Sequence, residues 1–209
     1  MTAMTALYDL VLPDLPRCPE ALAMVHIRLA CEEFYSRTMC KRAVLASIST
    51  VADTSEYTLT LPTGYVADKA LHVWVDDLEI EPIGMDDRDG LDAEWRTTTG
   101  EPSYYYMPDT SKIGLFLTPD AEYTVAAEVV LKPKSDATTI DDWVYEQYRE
   151  ALSAGAKARL MAIGGKPWTS NLSTKYRADF DRAIAGASHA INRGHGRGQK
   201  RTRPVFGLR

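Results

Sequence analysis

Apolar positions recur every three to four residues at the two ends of the chain and every second residue in its middle. The stretch Ile140–Ile191 carries the helical period in full. Val144, Tyr148, Leu152, Gly155 and Arg159 fall on one stripe, widened by Tyr145, Leu160 and Ile163. A second run, Leu172, Tyr176, Phe180, Ile184, Ala187 and Ile191, keeps the same spacing. Asp141 and Asp142 suit the positive end of the first helix, and Ser170 or Asn171 is placed to cap the second. Gly164-Gly165 stops the first helix and Pro167 prevents its resumption. The pattern predicts a helical hairpin. Gly155, costly in a helix interior by about 1 kcal/mol, predicts another backbone approaching it closely.

Near the start, Pro13, Pro16 and Pro19 predict an extended segment after the leader Met1–Leu12. A helix then runs from Pro19 or Glu20 to about Arg37 or Met39. It is apolar on two sides. Leu22, Val25 and Leu29 make one stripe; Met24, Ile27, Cys31 and Phe34 make the other, as expected of a helix wedged between partners. Arg28 with Glu32 and Glu33 with Arg37 are spaced for i,i+4 ion pairs. His26 within it reads as a satisfied core or flank histidine.

From Arg42 to Leu131 the period falls to two. Val44–Ile48, Tyr57–Leu61, Leu71–Val75, Leu78–Pro82, Ser103–Met107, Ile113–Leu117 and Tyr123–Leu131 read as strands, with Asp76-Asp77 as a two-residue hairpin turn. The expected fold is α+β: a helical bundle (N-terminal helix plus C-terminal hairpin) with an inserted antiparallel β-sandwich or barrel. The expected division is residues 1–41 (leader and helix), 42–134 (inserted β region), 135–192 (helical hairpin) and 193–209 (a basic arm).

Charge sharpens that division. The chain holds 24 Lys+Arg and 29 Asp+Glu. Arg193, Arg197, Lys200, Arg201, Arg203 and Arg209 lie past Asn192 with no acid among them, leaving 18 basic against 29 acidic residues, a formal −11, before the arm. The arm closes on Val205, Phe206 and Leu208. Such a segment reads either as an unstructured tail or as a docking element that orders on an acidic partner. A few phosphates could also meet it, but no base-reading motif precedes it and the acidic body repels DNA at close range.

Candidate chemistry is sparse. Cys18, Cys31 and Cys40 have no metal spacing and predict reduced thiols. His26, His72, His189 and His195 pair with no ligand at metal spacing, and no phosphate loop or nucleophile elbow is present. Asp86, Asp87, Asp89, Asp92 and Glu94 lack a calcium-loop pattern and read as a solvated loop. No apolar run is long enough to cross a bilayer, and no signal peptide pattern opens the chain. No cofactor, metal or enzyme activity is expected. Trp74, Trp95 and Tyr104-Tyr105-Tyr106 leave open a β-domain binding module, against which stands ordinary cross-strand packing.

Several segments, in order, resemble a phage head–tail adaptor of the short-tailed (podophage, tail-tube-A-like) kind. They are Leu12–Pro19, Cys31–Arg37, Glu56–Leu59, Gly100–Tyr104, Leu131–Pro133, Tyr148–Leu160, Pro167–Ser170 and Tyr176–Phe180. The resemblance implies a non-catalytic homo-oligomer, typically a dodecameric ring, in the virion neck and assembled in the host cytoplasm. Its implied partners are the portal and a tail nozzle or tail-tube protein, with genomic DNA passing through unread and no membrane involved. Portal docking would fall to the arm (Arg193, Arg197, Lys200, Arg201, Arg203, Val205, Phe206, Leu208, Arg209). Subunit packing would fall to Leu22, Val25, Leu29, Tyr148, Leu152, Gly155, Tyr176 and Phe180. A head-completion connector of a long-tailed phage is the alternative within the same class, and a wall-cleaving neck protein is a third reading.

Overall fold

The computed structural model describes residues 1–84, 86–87, 90 and 98–193. Its first helix of any length, α2 (Glu20–Thr38), starts after Pro19 in extended conformation. It ends on Met39, whose left-handed backbone (φ 53°) lets its N–H reach the Tyr35 carbonyl at 2.9 Å. No glycine marks this stop, so a non-glycine residue carries the left-handed cap. The segment before it is folded, and the run expected to be extended, Pro13 to Pro19, is mostly turns, with Pro19 itself extended. Strand β1 (Thr2–Ala3), a turn at Met4–Leu7, α1 (Tyr8–Val11) and a second turn at Leu12–Asp14 form a folded cap. Met4, Leu7, Val11 and Leu15 are all but fully buried. Four apolar side chains over twelve residues outweigh the breaking power of the prolines, which occupy the turns.

The chain next runs through β2 (Arg42–Val44), β3 (Ile48–Ser49), β4 (Glu56–Thr58), β5 (Tyr65–Val75), β6 (Leu78–Pro82), β7 (Tyr104–Asp109), β8 (Lys112–Phe116) and β9 (Thr124–Pro133). These make one curled sheet, a half-barrel, in the order β2-β9-β5-β6-β7-β8-β4, with β3 also on β9. The β5–β9 pairing is the spine, from Tyr65↔Pro133 to Val75↔Val125. The β5–β6 turn is the one expected. Asp76 and Asp77 both have positive φ (45° and 67°) and set Val75 opposite Leu78. Most pairs are antiparallel; β6 and β7 run parallel, Glu81 opposite Tyr104.

β10 (Thr139–Ile140) pairs with β1 and delivers the chain to the hairpin of α3 (Asp142–Met161) and α4 (Leu172–Asn192). Gly165 supplies the positive φ (73°) of the turn, and Trp168 plugs it from inside at 6% exposure. Neither Asp141 nor Asn171 caps its helix through its side chain; Ser170 Oγ instead accepts the Leu172 N–H at 3.2 Å. A single buried cluster runs from the leader through α2, α3 and α4 into the sheet, from Met4 and Phe34 to Val73 and Leu115. The α+β architecture with β strands inserted between helices is thus as the periodicities predict.

Gly155 has a close neighbour, but not a backbone. A Cβ there would lie 3.0 Å from the Phe180 ring and 3.1 Å from the Ala30 methyl. The missing side chain lets α4's largest buried aromatic sit at the place where α2, α3 and α4 meet.

Candidate assembly interface

Three of the residues expected at subunit contacts are spent inside the chain: Leu152, Gly155 and Phe180 are buried in the helical core. Tyr148 is half-buried, its ring 5.0 Å from Phe34 and 6.2 Å from Trp143. Tyr176 is half-buried as well, donating to Asp14 at 3.3 Å beneath the Lys157 ammonium. The α2 stripe is different. Val25 is 47% exposed and Leu29 37%, with Leu22 half-buried beside them. The opposite stripe of α2 is fully used, with Ala23, Ile27, Ala30, Cys31, Phe34 and Tyr35 at 0%. A helix apolar on two sides therefore has one side covered by its own chain and one open.

Of the arm, Arg193 lies exposed at the end of α4. Arg197, Lys200, Arg201, Arg203, Val205, Phe206, Leu208 and Arg209 lie outside the described residues, as do Asp89, Asp92, Glu94 and Trp95.

The flank of the open stripe is fixed by an ionic network. Glu33 accepts from Arg37 (2.9 Å), Arg159 (2.6 Å) and Arg177 (2.6 and 3.0 Å). Asp181 accepts from the same Arg37 nitrogen, Nη1 (2.5 Å), and from Arg177 Nε (3.1 Å). Burial alone would raise the Glu33 carboxyl, but hydrogen bonds from Arg177, Arg37 and Arg159 outweigh it and hold it at about 2. One carboxylate thus ties α2 to α3 and α4. Because Glu33–Arg177 and Arg37–Asp181 step forward together, α2 and α4 lie side by side and run the same way. The expected Glu33–Arg37 pair forms; the Arg28–Glu32 pair is replaced. Arg28 Nε donates to the Ala137 carbonyl at 2.9 Å, and Glu32 has no ion-pair partner among the described residues.

A second cluster joins the helices to the sheet where the chain crosses between them. Asp141 accepts from Lys41 (2.7 Å), Tyr65 (2.8 Å) and Tyr35 (3.0 Å). Burial works against its charge, yet the Lys41, Tyr65 and Tyr35 hydrogen bonds leave its pKa lowered; burial also raises both tyrosines. Alongside, Asp68 on β5 takes Ser36 of α2 at 2.8 Å and Lys132 of β9 at 2.9 Å.

The carboxylates of Glu33, Asp141 and Asp68 are each held by cations or hydroxyls, and the groove beside the Glu33 network is lined by Ala158, Arg159, Ala162, Ser173, Thr174 and Arg177. The described residues include no metal-type group of three side chains. No helix among them is long and apolar enough to cross a membrane. Cys18, Cys31 and Cys40 are free thiols, and burial pushes Cys31 up to about 12 and Cys40 to about 11. His26 is not the satisfied histidine expected: its buried Nδ1 has no partner among the described residues, and burial with nearby Arg159 lowers its pKa. His72 meets Glu79 at 2.5 Å and stacks on Trp74, while Tyr105 and Tyr106 are buried in the sheet. Tyr104 packs edge-on against Phe116 across the β7–β8 pair, whereas the His72–Trp74 contact lies along β5.

The described residues thus combine closed ionic clamps with one partly exposed aliphatic stripe on α2. The chain matches the SU10 adaptor protein family over residues 3–205 and belongs to it. It is a phage adaptor with a structural role, a component of the virion that associates with other neck and tail proteins. No curated protein matches the chain.

Proposed function

We propose that copies of this chain form a ring, typically of twelve, in the neck of a short-tailed phage. The ring joins the portal to the tail nozzle or tail tube and continues the DNA channel. The observation that carries the reading is the open α2 stripe. Val25 and Leu29 are exposed on a helix whose other side is saturated, as a contact with a neighbouring copy requires. Closed repetition multiplies each such small contact. The acidic residues suit a channel. Residues 42–134 hold 17 acidic and 7 basic residues, a formal −10, so this region repels passing DNA rather than binding it. The basic arm, residues 193–209, docks on the portal, and the body 1–192 carries the ring contacts.

Mass measurement of the protein alone and mixed with its portal tests the reading. The expected pair is a monomer alone and a twelvefold complex together. Removal of residues 194–209 leaves the body folded and abolishes portal binding; unchanged binding would take the arm out of the scheme. Imaging of virions that places the chain at a sheathed tail's head-completion ring would assign it to long-tailed phages instead.

A further inference from the structure

We propose that the exposed face of α3 on one copy, carrying Trp143, Glu146, Arg149 and Glu150, seats against the cavity at the helix–sheet crossing of the next copy, carrying Glu32, Lys134 and Asp136. The idea rests on the ring reading above and names two surfaces that meet in it.

Three observations support this pairing. The first is direction. A ring of more than two copies needs two different surfaces on each chain, turned away from each other. α3 meets α2 through Tyr148 against Phe34, 5.0 Å between ring centroids, and through Gly155 beside Ala30. Glu146 and Glu150 stand two residues either side of Tyr148, which turns them about 160° away from α2. Glu32 stands two residues from both Ala30 and Phe34, which turns it about 160° away from α3. The two surfaces therefore lie back to back across the α2–α3 contact. They also lie at one level, because both flank the Phe34–Tyr148 pair.

The second is charge. The cavity, about 430 Å³, is lined by Glu32, Lys132, Lys134 and Asp136 with Val66 and Pro133. Lys132 is taken by Asp68 at 2.9 Å. Lys134, Glu32 and Asp136 have no ion-pair partner among the described residues, and neither have Glu146, Arg149 and Glu150. Each surface thus offers one cation and two carboxylates. Face to face, Lys134 meets Glu146 and Glu150, and Arg149 meets Glu32 and Asp136. Both surfaces carry more acid than base, so any register that fails to interleave the cations is repulsive.

The third is size. Trp143 is 38% exposed on this face of α3. Val25 and Leu29, 47% and 37% exposed, continue the Glu32 side of α2 at helical spacing. Three partly exposed apolar side chains and a few solvent-screened ion pairs fall well short of the roughly 800 Å² per partner that holds a stable pair. Free copies stay apart, and the contacts add up only when the portal gathers them into a closed circle.

The test uses the full chain with its portal. Lys134→Glu removes the cavity's free cation, and Glu150→Lys reverses a carboxylate on α3. Both side chains are exposed, so circular dichroism should match wild type. Sedimentation velocity reads ring formation. Each variant alone should need at least about tenfold more protein than wild type to fill the ring on the portal. An equimolar mixture of the two should fill it at within about threefold of the wild-type concentration, because alternating copies set each reversed charge opposite the other. Rescue by mixing cannot come from a pairing inside one chain. Two outcomes overturn the proposal. One is a pair of variants that each fill the ring as wild type does. The other is a mixture that fills no better than its parts, which would set the two surfaces against the portal or nozzle instead of a neighbouring copy. Failure of the ring reading shows elsewhere, as a wild type that never forms a ring on the portal.

Discussion

Glu33→Gln isolates the ionic network that keeps the three helices in register. Its carboxyl moves from an ordinary 4.5 to about 2 in the folded chain. At about 1.4 kcal/mol per pH unit, that shift corresponds to roughly 3 kcal/mol of stabilisation at neutral pH. Glu33 is only 16% exposed, so little discount for solvent applies to it; the arginines are 31–43% exposed, and their share is screened. Glutamine keeps the shape and one acceptor, and Asp181 still holds Arg37 and Arg177. A loss of about 2 kcal/mol at pH 7 is expected, or roughly 4–8 °C in Tm for a chain of this size.

The sign of the pH dependence separates charge from shape. The folded pKa is depressed, so the stabilisation is complete above the unfolded value near 4.5 and is lost as pH falls toward 2. At pH 3 less than half of the roughly 3 kcal/mol remains. Urea denaturation of wild type and variant at pH 7 and pH 3 reads this directly: the gap between them should shrink by more than half. A gap equal at the two pH values would mean packing, not charge, is lost. A gap below about 0.5 kcal/mol at pH 7 would mean the network contributes no more than an ordinary surface pair.

Other substitutions probe the remaining joints. Asp141→Ala leaves the Tyr35 and Tyr65 hydroxyls and the Lys41 ammonium without their shared acceptor. It should cost about 2–4 kcal/mol by chemical denaturation, since those donors stay partly buried. Gly114→Ala drives a methyl into the Tyr106 ring that lies across it in the β7–β8 register; a loss of at least about 2 kcal/mol in thermal unfolding is expected. Gly155→Val should cost a similar amount by wedging Phe180 and Ala30 apart, while Gly155→Ala loses less because helix propensity offsets part of the clash. Val25→Ser with Leu29→Ser should change stability by no more than about 0.5 kcal/mol each yet abolish incorporation into the neck, read by co-sedimentation with portal. Normal incorporation would exclude the stripe as a subunit contact.

Periodicity alone makes the helices, most strands and the Asp76-Asp77 hairpin legible, because each is a local pattern repeated over at least two turns or three alternations. What stays hidden is mostly set by distant partners. The leader is folded because Met4, Leu7, Val11 and Leu15 find a surface on α2 and α3, which no local pattern among prolines reveals. Phe180, Leu152 and Gly155 look like interface residues until the hairpin closes and uses them up. The Glu33–Arg37 and Arg177–Asp181 spacings are visible as i,i+4 pairs on separate helices. Nothing in either helix says that the two pairs interlock. Arg28 is lost to Ala137, more than a hundred residues away, so the i,i+4 pair with Glu32 does not form.

In the proposed ring, the placement of the three ionic clusters would set how one copy meets the next. The Glu33 network locks the helices to one another, and the Asp141 and Asp68 clusters lock them to the sheet at both crossings of the chain. Lys41 follows α2 on the way into the sheet, and Lys132 and Asp141 bracket the way out. A helical layer hinged loosely on its sheet would let each neighbour in a ring settle at its own angle, and small errors would accumulate around the circle. Ion pairs between partly buried groups fix orientation more sharply than apolar contact does, because charge-assisted hydrogen bonds are directional. Asp141→Asn, which keeps the size and weakens the charge, should therefore leave a folded monomer but broaden the distribution of ring sizes formed with portal, counted by electron microscopy. A variant that melts lower yet still builds uniform rings would show that the clamp stabilises the fold without governing the geometry of assembly.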